Sequence, residues 1–289
     1  MRVLMIGAHP DDCEYYGGGT ALKYLRGGHE VRFLSVCNGS GGHHEMSGPE
    51  IVTRRRKEAD AVMELTGITY DIWDNEDCEV TADLKNRKRM VRYLREYKPD
   101  IIFTHRTNDY HADHRNTAFL VQDAAYLLII PNFCPDVPPL LKDPVIMFFR
   151  DDFKYPEFVP DVVIPTDYVI YDKYNIMNCH VSQVYEWLPY NQGRLEHVPA
   201  DPQKRLAWLR EPRVPRGGEP LTEAELKGFG ASFSSSCEYV EAVAAAKYRD
   251  MIVEQYGEAA RHTLFAEAFQ ASEYGAPLTK DNINVYFPF

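Results

Sequence analysis

The sequence predicts an α/β fold in which a mostly parallel sheet carries helices on both faces. Three observations predict it. Short apolar runs of strand length alternate with amphipathic stretches of helical length, glycine or proline punctuates most boundaries, and the alternation repeats as βαβαβα over about the first 130 residues. Arg2–Ile6 is an apolar run ending at Gly7 and reads as a buried strand. Gly17-Gly18-Gly19 leads into an amphipathic segment, Thr20–Arg26, stopped by Gly27-Gly28. Glu30–Val36 is a second strand, followed by a glycine-rich loop, Asn38–Gly48. Pro49 opens a helix to Thr66, halted by Gly67, and Ile68–Trp73 is a third strand. Ala82–Tyr97 reads as an Arg/Lys-rich helix, Ile101–Thr104 as a fourth strand, and Arg115–Leu128 as a helix.

Further along, Pro131–Pro165 is rich in proline and aromatic residues and contains one strand, Val145–Phe149. Asp167–Val184 and Tyr239–Gln255 read as helices, and Glu211–Gly230 as an excursion loop. No internal repeat or low-complexity segment interrupts the chain, so a single domain over residues 1–289 is expected, with a core over about 1–185 and a C-terminal extension over about 186–289. The final Val285-Tyr286-Phe287-Pro288-Phe289 is apolar and should dock on the body or on a neighbouring subunit, which makes a homo-oligomer an expectation.

The chain has 289 residues, 45% hydrophobic and 26% charged, with a net charge of −11. That charge disfavours nucleic acid and anionic membrane surfaces as partners. No stretch of eighteen or more apolar residues occurs, so no transmembrane helix is expected. The apolar run at the N-terminus is too short for a signal sequence, and candidate chemistry starts directly after it. The six cysteines, Cys13, Cys37, Cys78, Cys134, Cys179 and Cys237, contain no CxxC and read as free thiols of a reducing cytoplasm. Cys13, beside the candidate site, is expected to be sensitive to oxidation. Arg54-Arg55-Arg56-Lys57 reads as a solvated helix face that could also supply a local basic pocket.

In parallel sheets of this kind ligands bind beyond the carboxyl ends of the strands. Ala8-His9-Pro10-Asp11-Asp12 follows the first strand and Asn108-Asp109-Tyr110-His111-Ala112-Asp113-His114 follows the fourth, so both segments fall on one rim. His9 and Asp12 are spaced to reach one ion, as are His111 and His114. A catalytic metal site needs about three protein ligands and one open position. Four candidates leave one group free for acid/base work, and Asp11 adds a second carboxylate. A carboxylate could take a proton from the attacking water, and a histidine could stabilise an oxyanion or protonate a leaving amine. His105 is a candidate neighbour of the ligands. His43 and His44 read as surface residues of a loop bordering the pocket. His29, His197 and His262 are isolated.

Together these two segments resemble the PIG-L/LmbE-like de-N-acetylases. The resemblance extends to Arg55-Arg56-Lys57-Glu58-Ala59 (RxxEA), Asp77, Lys173 with His180-Val181-Ser182-Gln183, and Ala266-Glu267-Ala268-Phe269 with the terminal aromatic tail. It implies a Rossmann-like three-layer fold and a zinc-dependent amidase acting on N-acetylglucosamine-like compounds. It makes His9, Asp12 and His114 the metal ligands, Asp11 the general base, and His111 the group that stabilises the oxyanion and protonates the nitrogen. Asp113 would orient a histidine, and Arg55 and Asp77 would contact substrate. Ala112 and Tyr110 stand where proline is common, and Cys78 where glycine is common; Tyr110 could close over the substrate.

The expected activity is therefore release of acetate from an N-acetylated amino sugar, with Zn²⁺, or Fe²⁺ or another divalent ion, as cofactor. The alternative is a metal-dependent carbohydrate-binding or regulatory protein without catalysis. Two histidines and a carboxylate also suit non-haem iron chemistry, but the adjacent Asp11 favours hydrolysis. No GxGxxG or GxxxxGK[ST] follows the first strand, which removes the signal of a nucleotide-binding fold.

Overall fold

A computed structural model describes residues 1–215, 220–229 and 237–289. Among these, seven strands form one sheet: β1 (Arg2–Gly7), β2 (Glu30–Cys37), β3 (Thr69–Asn75), β4 (Ile101–Thr104), β5 (Val145–Phe149), β6 (Val162–Pro165) and β7 (Ala266–Gly275), in the order β3-β2-β1-β4-β5-β7-β6. β1 to β5 are mutually parallel, and β7 runs antiparallel between β5 and β6. The sheet is thus mostly parallel within an α/β fold, as expected. β1 is flanked by β2 on one side and β4 on the other, so the chain reverses its direction of progress across the sheet there. The crevice at the carboxyl ends of β1 and β4 is the place such folds leave for a ligand.

Period-two alternation explains the layers. Val3 and Met5 of β1 join Phe33, Phe103 and Phe149 in one core, closed by α1 (Asp12–Arg26) and α2 (Pro49–Thr66). Leu4 and Ile6 point the other way, into a second core closed by α3 (Leu84–Tyr97) and α4 (Ala112–Leu127). A fifth helix, α5 (Ile170–Cys179), packs beside α1 and is followed by a π-helical turn, Gln183–Trp187, that runs into α6 (Leu188–Asn191).

Several boundaries differ from the sequence expectation. α1 begins at Asp12, so Gly17-Gly18-Gly19 lies inside the helix rather than before it. The reason is close packing: a Cβ on Gly17 would sit 2.9 Å from Met5 Sδ, and one on Gly19 2.7 Å from Thr166 Cγ2. The stretch expected as one helix over 167–184 breaks at His180. Downstream, α7 (Pro202–Leu209) is followed by α8 (Glu223–Phe229), so the expected excursion loop over 211–230 contains a helix. Part of that stretch lies outside the described residues. The expected helix over 239–255 is two, α9 (Cys237–Lys247) and α10 (Arg249–Tyr256). β6 and β7 were not anticipated.

The C-terminal tail docks on the body: Tyr286 and Phe287 join the first core, the Phe289 ring lies 4.9 Å from that of Tyr24, and Tyr24 Oη donates to the Tyr286 carbonyl at 2.7 Å. This removes the tail as a ground for a subunit contact. A buried charge network ties the C-terminal strand to α1 and α5. Lys173 Nζ lies 2.7 Å from Glu267 Oε1 and 2.6 Å from Glu241 Oε1, and Glu267 accepts from the backbone N–H of Gly19 and Thr20. No helix among the described residues is long and apolar enough to cross a membrane.

Candidate metal centre

β1 ends at Gly7, and its continuation turns sharply so that His9, Asp11 and Asp12 face the crevice. A Cβ on Gly7 would lie 2.6 Å from the Asp12 Cβ, which explains why no larger residue sits at the turn. Asp11, the N-cap of α1, has φ 155° and ψ −20°, a sparsely populated backbone region for a residue with a Cβ. The second segment caps α4. His111 occupies its N-cap, and the His111 ring nitrogen Nδ1 accepts from the Asp113 backbone N–H at 3.1 Å. Neutral His111 therefore carries its proton on Nε2.

Ligand atoms of three side chains converge, with both oxygens of Asp12 among them. His9 Nδ1 lies 3.2 Å from His114 Nε2 and 3.3 Å from Asp12 Oδ2, and His114 Nε2 lies 3.5 Å from Asp12 Oδ1. Bonds of about 2.0–2.1 Å in a tetrahedron give edges of about 3.3 Å, so the donor set fits an ion of that size. The surrounding groups fix which atoms are free. Asp12 Oδ2 accepts from the N–H groups of Ala8 and His9 at 2.9 and 2.7 Å and lies 3.1 Å from His105 Nε2, leaving Oδ1 uncommitted. His9 Nε2 lies 3.2 Å from Asp77 Oδ1 and 3.5 Å from Asp113 Oδ2, while His114 Nδ1 lies 3.0 Å from Asp109 Oδ1. Carboxylates behind each imidazole favour N–H on that side and a lone pair on the other. None of these three pairs is aligned as a hydrogen bond, so His9 Nε2 and His114 Nδ1 are buried without one.

Three further groupings of ligand-type side chains share these residues: His9 with His111 and His114, His9 with Asp77, His111 and Asp113, and Asp12 with His105 and His114. His105, stacked on His114 at 3.9 Å and pushed down to about 4 by burial and by His114, is a neutral prop for Asp12. Asp113 also accepts from the N–H groups of Cys78 and Val80 at 2.7 and 3.2 Å, fastening the loop after β3 to the start of α4. Asp77 is buried, with Oδ2 accepting from Gly41 N–H at 3.2 Å.

Burial pushes the Asp11 carboxyl up to about 6; the Arg55 guanidinium opposes this and the adjacent Asp12 carboxylate adds to it. Burial, with His9 and His114 alongside, holds His111 below the ordinary histidine value. Arg55 itself is 1% exposed. Its Nη2 donates to Asp11 Oδ1 at 2.9 Å and to the Pro10 carbonyl at 2.8 Å, and Gly39 and Gly42 press on its other face. The expected substrate arginine is thus a clamp on Asp11 in this structure, and the basic run is not wholly a solvated face.

Other expectations also change. The His43 side chain is 2% exposed and bonded to Glu186 at 2.8 Å, so it is not a surface residue. Cys13 is fully buried with its thiol on the Met5 carbonyl, and burial pushes it well up, which removes it as an oxidation-sensitive group. Cys78 is the exposed thiol among the described cysteines, all five of which are free. Tyr110 is 71% exposed at the mouth, with its ring 5.3 Å from that of His114.

Sequence reasoning missed what the helix motifs do. Glu58 of the RxxEA segment accepts from Ser182 N–H and Oγ, both at 2.7 Å, and Gln183 Nε2 donates to the Gly42 carbonyl at 2.9 Å. His180 is 2.7 Å from Glu14 of α1. The motif residues outside the crevice hold one another, and through α1 and α2 they hold Asp11.

Residues 4–125 match the family model described as PIG-L, GlcNAc-PI de-N-acetylase. A diacetylchitobiose deacetylase from Thermococcus kodakarensis is 33% identical over 138 residues, 46% of this chain and 52% of that protein, so the match spans about half of that relative's length. A 4-oxalmesaconate hydratase from Pseudomonas putida is 24% identical over 201 residues, 67% of this chain and 78% of the relative. The crystal structure of the 4-carboxy-2-hydroxymuconate hydratase of Pseudomonas putida superimposes with a TM-score of 0.66 over 96% of this chain and 98% of the other, at 19% identity, a likeness of fold alone. Both histidine-bearing segments fall within residues 4–125, so the part of the chain that carries the site is similar to the PIG-L family.

Proposed function

We propose that the protein is a zinc-type hydrolase that releases acetate from an N-acetylated amino sugar in the cytoplasm. The observation that carries this is the triangle of His9 Nδ1, Asp12 and His114 Nε2, with edges of 3.2–3.5 Å, flanked by Asp11 and His111. A divalent ion held by His9, Asp12 and His114 would polarise the amide carbonyl and bring the pKa of water to roughly 7.

The chain's own groups supply the rest. Asp11, clamped by Arg55, takes the proton from the attacking water. His111 presents Nε2–H to the developing oxyanion and passes that proton to the departing nitrogen, and the proton Asp11 took from water replaces it on His111. Acetate and a free amine result. Asp113 sets the His111 tautomer through its backbone N–H, and its carboxylate backs His9; Asp77 backs the same His9 nitrogen and borders the pocket through Gly41.

A hydratase is the second reading, favoured by the relative at 24% identity. Charge argues against it. Asp11, Asp12, Asp77, Asp109 and Asp113 crowd the crevice; of the arginines beside them, Arg55 is committed to Asp11 and Arg115 to the carbonyls of Asp109 and Tyr110. Such a site suits a neutral amide and its ammonium product better than an unsaturated polycarboxylate. Purified protein reconstituted with Zn²⁺ or Fe²⁺ should release acetate from N-acetylhexosamine derivatives. Stoichiometric metal with no acetate from any of them, and hydration of an unsaturated dicarboxylate instead, would replace this reading by the second.

A further inference from the structure

The two ends of the crevice differ in character. Over β2 and β3 it is polar, with Asp11 held by Arg55, and Asp77 bonded to Gly41 and Ser40 of the glycine-rich loop. Over β4 and β5 it is aromatic. Tyr16 stands four residues after Asp12 on α1, so both side chains share a helix face. Long side chains on a helix lean back towards its N-terminus, which carries the Tyr16 ring up to the turn that bears Asp12. The ring stacks on Phe149, the last residue of β5, at 5.5 Å and 18°. It meets His105 and His114 edge-on, at 5.3 and 6.2 Å.

Phe149 is 2% exposed and His105 1%, so the ring rests on close-packed groups with no room to retreat. Tyr16 itself is half-buried. Burial, with Asp12, Tyr110 and Asp109 alongside, pushes its phenol well up, so the group is uncharged. An amide held at the ligand triangle has two ends to place, its amine part and its acyl part. A hydroxyl-rich amine part matches the polar end, where its hydroxyls keep hydrogen bonds; an alkyl chain there would strip polar groups of theirs. The alkyl part matches the aromatic end, where the Tyr16 ring already fills the space up to Phe149.

We propose that Tyr16 is the specificity-determining residue for the acyl group: its ring closes the β5 end of the crevice and sets the longest chain that can be removed. A longer chain must displace a ring packed against Phe149 and His105. The assignment rests on the amino-sugar hydrolase reading above.

The test compares N-acetyl-, N-butyryl- and N-hexanoylglucosamine on the Zn²⁺-reconstituted protein and its Tyr16→Ala, Tyr16→Val and Tyr16→Phe variants. In wild type kcat/KM should fall steeply with chain length. The ratio of hexanoyl over acetyl should rise at least about tenfold in Tyr16→Ala, since a single methylene in an apolar pocket is worth that much. It should rise less in Tyr16→Val, which carries the comparison if the alanine variant is unstable, and stay at the wild-type value in Tyr16→Phe, which keeps the ring. A ratio unchanged in both truncations overturns the proposal. Binding is followed separately by visible absorption as acetate and hexanoate are titrated into the Co²⁺-loaded wild type and truncations. These carboxylates carry the acyl chain with no amine part. If no amino sugar is deacylated, the amino-sugar reading fails, and the titration still decides the role of Tyr16. A gain of about tenfold or more for hexanoate relative to acetate on truncation supports it; an unchanged preference overturns it.

Discussion

At the scale of single residues, the placement of Asp11 turns on Arg55. Its guanidinium reaches two acceptors, Asp11 Oδ1 and the Pro10 carbonyl, from a position walled by two glycines. A lysine carries one charge but not the planar fork, and cannot hold both acceptors in the same geometry. Arg55→Lys should therefore lower kcat by about 10- to 100-fold, since a misplaced base is costly even when present. Metal content by elemental analysis should stay at the wild-type value; an undiminished kcat would show that the clamp does not matter. The ligand candidates were legible because two short segments fall at corresponding strand ends. The inward turn of Arg55 was not, because four consecutive basic residues do not reveal which one faces the core. His43 was hidden for a related reason: its partner Glu186 is 143 residues away.

Individual elements depend on similarly distant partners. Arg95 of α3 is fully buried and donates to the carbonyls of Leu127, Leu128, Ile130, Phe133, Cys134 and Val137, closing the irregular segment after α4. Arg95→Met removes the donor and leaves those carbonyls buried. A loss of about 3 kcal/mol or more in urea-induced unfolding is expected; a loss below about 1 kcal/mol would mean that water replaces the guanidinium. The parallel strands β1 to β4 announce themselves as apolar runs between breakers. β7 did not, since Ala266, Ala268 and Gln270 alternate too weakly to mark a strand by composition. Its place is set by Glu267, whose partners Lys173, Gly19 and Thr20 lie on other elements.

For the whole molecule, β7 matters because it inserts residues 266–275 between β5 and β6. The chain is therefore expected to unfold in one transition rather than as core and extension separately. The same strand brings Glu267 against Lys173 of α5 and Glu241 of α9, with Thr166 bonded to Glu241. Burial pushes Glu241 up from its ordinary 4.5 to about 7; Lys173 opposes this and Glu267 adds to it. A raised folded-state value means that this group's contribution is full below about pH 4.5 and declines as pH rises towards 7, because the unfolded chain ionises first. Thermal melts of Glu241→Gln should show a flatter dependence of Tm on pH across that window than wild type. An identical slope would mean that Glu241 stays ionised throughout.

The central claim is the division of labour between His9, Asp12 and His114, which hold the ion, and Asp11, which moves the proton. Metal content and acetate release, measured together on Asp11→Ala and His114→Ala, test it most directly. Asp11→Ala should keep wild-type metal and lose nearly all turnover, whereas His114→Ala should lose both. Loss of metal in Asp11→Ala, or retention of metal with full activity in His114→Ala, would contradict it.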